Sequence, residues 1–144
     1  MTPDEMNQLL ERSDFGHLGC NRDGHPYVVP MHYVFHAPYL YFVTTEGTKT
    51  DYITANPEVC FQVEDIKDDE HWRSVMVIGP AQRVTNEVDL ALAARMLAER
   101  NPELTPVRNE TTIGAWHRLN KPATYRVRPS ATYGRQTADE PGEL

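Results

Sequence analysis

The sequence is poor in lysine and cysteine and has no long apolar run. Of its 144 residues only three are Lys (Lys49, Lys67, Lys121) and two are Cys (Cys20, Cys60). Two thiols without CxxC spacing exclude a disulfide-stapled secreted scaffold. Both lie in apolar stretches and read as buried free thiols, which fits a cytoplasmic protein. The lack of an apolar run of about 18 residues excludes a membrane-spanning helix. Residues 1–12 read as too polar for a signal peptide. No GxSxG, HExxH, P-loop or GxGxxG occurs, so the common hydrolase, metalloprotease and dinucleotide-binding signatures are missing. The six histidines form no metal pattern. His32 and His36 share a strand face but stand about 13 Å apart at ordinary strand rise, too far for one ion.

Charge is present but unevenly divided. The chain carries 21 acids and 14 Lys plus Arg, a net charge of −7. Residues 1–72 hold 13 acids and 4 bases, a net of −9; residues 73–144 hold 8 acids and 10 bases, a net of +2. An acidic surface argues against non-specific nucleic-acid binding, which needs many phosphate contacts. Within the acidic half, Lys49 is the only cation between Arg22 and Lys67. The length suits one domain, spanning 1–136 with a polar tail at 137–144. Such a domain buries roughly two-thirds of its unfolded surface and needs no metal or disulfide to fold. The 40% hydrophobic and 24% charged content is that of a globular chain.

The chain opens on a helix signal: Thr2 as cap, Pro3 in the first turn and Glu5 completing a capping box, to about Arg12. A hairpin follows, from Phe15–Asn21 to His25–His36, turning at Asp23-Gly24. That turn places Cys20 opposite Tyr27 and Leu18 opposite Val29. Both faces of the second strand are apolar, as in a barrel strand or one buried at an interface. Pro30 cannot donate to a ladder and marks an edge, a bulge or an opening of the sheet. A third strand (Tyr39–Thr45), a short helix (Lys49–Ala55) and a fourth strand (Val59–Glu64) come next. Residues 65–70 read as a solvated acidic loop. A fifth strand (Trp72–Val84) carries Gly79-Pro80 as a bulge signal. Asn86 caps a helix to about Arg100 whose broad apolar face includes Leu90, Ala94 and Leu97. A helical turn is expected around Ile113–Leu119, and Ala123–Arg128 forms the sixth strand. Together these predict a mainly β fold with helices, a small antiparallel β-barrel.

Three stretches carry candidate chemistry. Thr45, Gly47, Thr48, Lys49 and Thr50 put hydroxyls and a lysine where a strand gives way to a helix. Free N–H groups there favour an anion, and a Lys in a first helical turn opposes the dipole unless an anion is present. The other reading is that Thr48 only caps and Lys49 is solvated. Arg73 and Ser74 open a long apolar strand; the guanidinium suits a phosphate or carboxylate, or pairs with the acidic loop. His32 lies on an apolar strand beside Pro30, either as a satisfied core or interface histidine or as a site residue.

These pieces, in this order, form a pattern. Gly19, the run from Asp23 to Tyr33, Leu40-Tyr41-Phe42, Glu46-Gly47-Thr48-Lys49, Asn56-Pro57-Glu58-Val59-Cys60-Phe61 and Ser74-Val75…Gly79 resemble the pyridoxamine 5'-phosphate oxidase-like family of FMN-binding split barrels. The likeness is greatest to the subgroup that includes nitroimidazole-resistance proteins, and it spans about residues 10–130. It implies a six-stranded Greek-key split barrel that dimerises and holds FMN at the homodimer interface. On that likeness Pro30, Met31, His32 and Tyr33 line the ring, largely through backbone groups. Thr45, Gly47, Thr48, Lys49 and Thr50 hold the phosphate, and Arg73 and Ser74 add contacts. The implied function is an FMN-dependent oxidoreductase acting on a small molecule, nitro compounds among the candidates. Trp72 or Trp116 would stack on the ring or sit in the core. The alternative is a non-catalytic module on the same barrel, binding haem, a deazaflavin or a stored flavin, with His17, His32 and His117 as candidate haem ligands. Relative to the pyridoxamine-phosphate oxidases, the chain is short, and Tyr133-Gly134-Arg135 only faintly echoes their C-terminal substrate motif.

Overall fold

A computed structural model of the chain describes residues 1–100 and 121–138. Thr2 accepts from the Glu5 N–H at 3.1 Å while the Thr2 N–H donates to Glu5 Oε1 at 3.0 Å, so the capping box opens α1 (Pro3–Arg12). Strands β1 (Phe15–Arg22) and β2 (His25–His32) follow, joined at Asp23 and Gly24 with φ of 51° and 80°. Two positive φ values in succession form the primed turn whose twist suits a hairpin. The register is the expected one, Cys20 opposite Tyr27 and Leu18 opposite Val29.

The remaining elements are β3 (Val34–His36), β4 (Tyr39–Thr45), α2 (Thr48–Ala55), β5 (Glu58–Asp68), β6 (His71–Arg83), α3 (Glu87–Arg100), β7 (Pro122–Val127) and β8 (Ala131–Gln136). The hydrogen-bonded order is β2-β1-β5-β6-β7-β4-β3, with β8 on β6. The two ends of this path, β2 and β3, are consecutive in the chain and separated only by Tyr33. The sheet therefore curls into a barrel that chain continuity, not a ladder, brings round on itself: an antiparallel split barrel with three helices among the described residues. None of those helices is long and apolar enough to cross a membrane.

Alternation fills the interior. Leu18 of β1, Phe61 and Val63 of β5, Val75 and Val77 of β6, Leu40 and Phe42 of β4 and Val127 of β7 are fully buried. Phe42 stacks on Tyr125 at 5.5 Å and lies 6.4 Å from Phe61. Leu9 and Leu10 of α1 join the same core. Burial of such side chains, each worth about 1.5–3 kcal/mol, fixes which strand face is inner.

The structure departs from the sequence reading in five places. Among the described residues eight strands replace the expected six. The expected strand 25–36 breaks at Tyr33, where it passes from one part of the sheet to the other, and residues 131–136 form a strand that was not expected. The acidic stretch is not a loop. β5 runs to Asp68 and pairs with β6, and the one register shift lies between Ile66 and Asp68. At Gly79-Pro80 pairing with β5 continues unbroken. What changes is the other edge of β6, where β8 partners 73–78 and β7 partners 81–83. The chain between β7 and β8 crosses so close to Gly79 that a Cβ there would collide with the Arg128 carbonyl. Finally, only Ala93 of α3 is buried, and Val88 and Ala94 are exposed, so the helix lies on the surface rather than presenting a broad buried face. The helical turn expected around 113–119 lies outside the described residues.

Candidate functional site

Residues that alternate away from the core meet on one open sheet face. The registers align them in rows across β2, β1, β5, β6 and β8: Val28–Gly19–Cys60–Ile78–Ala131, then Pro30–His17–Gln62–Met76–Tyr133. Beyond these, His32 pairs with Phe15, and Glu64, Ser74 and Arg135 share the next row. Four large apolar side chains on this face are exposed: Phe15, Val28 (67%), Ile66 and Tyr133.

Among the polar residues of this face His32 is set apart. Its ring meets Phe15 edge-on at 5.2 Å, and its Nδ1 is buried without a hydrogen-bond partner. A buried ring nitrogen left unpaired costs about 1–3 kcal/mol. In the adjacent row His17 stands 4.0 Å from a Glu64 oxygen.

Pro30 is exposed, on a strand that has no partner along its second edge among the described residues. Met31 and Tyr33 point inward and are buried, so only their backbone can serve a ligand. The Tyr33 N–H already donates to the Asp14 carbonyl at 3.2 Å, and its hydroxyl to the Leu10 carbonyl.

The β4–α2 junction is built as a turn with a free rim. Thr50 is buried, and its hydroxyl accepts from the Gly47 N–H and donates to the Gly47 carbonyl, both at 2.8 Å. Thr50 therefore holds the turn and has no hydroxyl to spare. The Glu46 N–H donates to the Lys121 carbonyl, and its carboxylate pairs with Arg83 at 2.8 Å. That guanidinium holds the Glu46 carboxyl below the usual carboxylate range. Thr45 ends β4 opposite Pro122. Thr48 is exposed, and nothing crowds Gly47. Lys49 forms no ion pair with any described residue. Its charge reaches Cys20, opposing the burial that pushes that thiol up to about 11. The lysine thus stands beside the β1 end of the barrel, where Tyr52 of α2 meets Tyr27 of β2 at 5.4 Å.

Arg73 and Ser74 are elsewhere. Ser74 precedes Ile78, in the Cys60 row, by four residues of β6, about 13 Å at ordinary strand rise. One chain does not bring Arg73 to Lys49. Instead Arg73 and Ser74 border a cavity of about 550 Å³ on the same face, with Trp72, Met76, Tyr133 and Arg135. Trp72 is half-buried there and not in the core; Trp116 and His117 lie outside the described residues. Sequence reasoning missed Gln62 and Glu64, and took up Tyr133 and Arg135 only as a faint echo of a C-terminal substrate motif. The outward alternation of Gln62, Glu64 and Ile66, and of Tyr133 and Arg135, was the available signal.

A family model described as pyridoxamine 5'-phosphate oxidase matches residues 2–136. The chain belongs to the pyridoxamine 5'-phosphate oxidase-like family. Among solved structures of similar shape are a FAD-binding protein from Mesorhizobium loti (TM-score 0.75, 25% identity, 96% of each chain covered) and a FAD-binding protein from Mycobacterium smegmatis (TM-score 0.69, 28% identity, 96% of this chain and 98% of that one). An F420 reductase is also similar (TM-score 0.67, 25% identity, 92% of this chain and 98% of that one). An uncharacterized Rhizobium meliloti protein is 32% identical over 84 residues, 58% of this chain. The match spans only 56% of that curated relative's length. In this member of the pyridoxamine 5'-phosphate oxidase-like family, the matched span takes in both the open face and the β4–α2 turn.

Proposed function

We propose that this chain is a flavin-binding oxidoreductase whose cofactor lies between two copies paired through the open β2-β1-β5-β6-β8 face. The observation that carries the reading is His32: a buried ring nitrogen without a partner, on a face that exposes Phe15, Val28, Ile66 and Tyr133. A second copy would cover Phe15, Val28, Ile66 and Tyr133, and a bound ring with polar edges would give His32 its missing partner. FMN fits this chain. Lys49 and the N–H groups of Thr48 and Lys49 would bind its phosphate, with Gly47 and Thr45 shaping the approach and Thr50 fixing the turn. The unpaired edge of β2 at Pro30 and Met31, His32 and the carbonyl of Tyr33 would border the ring. Because one chain separates Arg73 and Ser74 from Lys49, these two would act from the second copy. When bound, the flavin supplies the electron-transfer chemistry, and the protein orients it and excludes water.

The experiment is a visible spectrum and native mass spectrum of the purified protein, followed by FMN titration of stripped protein. The expected result is a yellow dimer, with Lys49→Ala weakening FMN binding by roughly ten- to a hundredfold, the effect of one charge-assisted contact. A colourless protein that ignores added FMN overturns the reading. A second reading, a deazaflavin in the same place, is favoured by the F420 reductase among the similar structures. The bound mass separates FMN, FAD, deazaflavin, haem and an empty protein.

A further inference from the structure

The turn that would take an anion begins with one. Glu46 stands one residue before Gly47 and two before Thr48, and residues 46–51 carry two acids, Glu46 and Asp51, against one base, Lys49. Two residues of chain span at most about 7 Å. A bare carboxylate at Glu46 therefore lies within the roughly 8–10 Å over which charges act on one another at ordinary salt. It would oppose any anion at the Thr48 and Lys49 N–H groups.

The fold does not leave that carboxylate bare. Arg83, the last residue of β6, donates to Glu46 Oε1 at 2.8 Å. The guanidinium is placed from a second side. Arg83 is the register partner of Tyr125 on β7, and its Cζ lies 5.5 Å from the centre of that ring. Tyr125 is buried and stacked on Phe42, so it cannot follow a moving guanidinium. The Glu46 backbone is tied as well, its N–H donating to the Lys121 carbonyl at 2.8 Å. Thr50 of α2 and the Lys121 charge also favour the ionised carboxylate. Both members of the Arg83–Glu46 pair are more than a third exposed, so the pair adds little to stability. Its effect falls on the local charge instead: with Arg83 in place the acids and bases about the turn balance.

We propose that Arg83 is a positioning residue for the cofactor phosphate, which holds and neutralises the Glu46 carboxylate so that the Gly47–Lys49 turn accepts an anion. The inference rests on the flavin reading above. Arg83 acts through Glu46 and not by touching the phosphate, since its guanidinium is already engaged by Glu46 and Tyr125.

The test is a double-mutant cycle on the full chain stripped of flavin, titrated with FMN and with riboflavin, which has the ring but no phosphate. Arg83→Gln should weaken FMN binding about tenfold, the size of one unbalanced charge at this range, and leave riboflavin unchanged. Glu46→Gln keeps an acceptor for Arg83 but removes the charge, and should bind FMN as tightly as the native sequence or more tightly. The double variant should recover most of the Arg83→Gln loss, and Arg83→Lys part of it. The loss should also shrink at high salt. A Glu46→Gln variant as weak as Arg83→Gln overturns the proposal, for the pair then only shapes the turn. So does an Arg83→Gln loss undiminished in the Glu46→Gln background, for the guanidinium then meets the phosphate itself. Equal losses for FMN and riboflavin overturn it as well. Inorganic phosphate, followed by the amide shifts of Thr48 and Lys49, separates this proposal from the flavin reading. If the protein ignores FMN while phosphate moves those amides, and Arg83→Gln abolishes the shifts unless Glu46→Gln accompanies it, the flavin reading fails and the role of Arg83 stands. Shifts indifferent to Arg83→Gln, or no binding of either probe, overturn it.

Discussion

The Tyr33 hydroxyl donates to the Leu10 carbonyl at 2.7 Å, across the bend where β2 becomes β3. Leu10 lies in the last turn of α1, where four carbonyls have no partner within the helix. Here all four are taken. The Ser13 N–H serves Leu9, Tyr33 serves Leu10, and Arg100 of α3 donates to Glu11 at 2.6 Å and to Arg12. The barrel and a distant helix thus finish a helix the sequence only begins.

Tyr33→Phe keeps the ring in the core and strands the Leu10 carbonyl. We expect a loss of about 1–2 kcal/mol in urea unfolding, the cost of an unmet buried acceptor. Arg100→Ala should leave the barrel core intact but speed amide exchange in the last turn of α1. Unchanged exchange there would show that the guanidinium is not what holds that turn.

Gly79→Ala should destabilise the fold by about 1–3 kcal/mol, as overpacking does. The new methyl meets backbone, the Arg128 carbonyl and the Ser130 nitrogen, which cannot swing aside as a side chain can. Gly24→Ala meets no atom, yet its φ of 80° is unfavourable for any residue with a Cβ. It should therefore cost less, and a thermal melt of both variants distinguishes a clash from strain.

Burial raises the Cys20 thiol to about 11, with Cys60 adding to the shift and Lys49 opposing it. At pH 8 only about one molecule in a thousand carries that thiolate. In a Cys60→Ser variant the remaining thiol should react with a disulfide reagent no faster than the protein unfolds. Prompt labelling of native protein would contradict the buried placement.

The Glu46 carboxyl is held below its ordinary range by the Arg83 hydrogen bond. A depressed folded value gives stability that is present above the unfolded value of about 4.3 and lost as pH falls through the folded one. The gap in unfolding midpoint between the native sequence and Arg83→Gln should therefore be open at neutral pH and close in acid. A gap that persists in strong acid would assign Arg83 another role, such as its position over the Tyr125 ring at 5.5 Å.

What the sequence by itself determined is local. The Thr2–Glu5 cap, the Asp23-Gly24 turn with its register and the Gly47–Thr50 turn follow from residues within a few positions of one another, where side-chain reach and backbone sterics leave little choice. The tertiary structure decided what depends on pairing between distant segments. It broke the second strand at Tyr33, recruited 131–136 as a strand on β6, and let β6 change partners at Gly79. It also separated Arg73 and Ser74 from Lys49 by the length of a strand, and gathered His32, Phe15, Met76 and Tyr133 onto one open face. Composition does not encode these relations, because a strand's neighbours are chosen by which buried faces fill one interior together. The lone Lys49 in an acidic half was legible as an anomaly; that it stands beside the end of β1, unpaired among the described residues, was not.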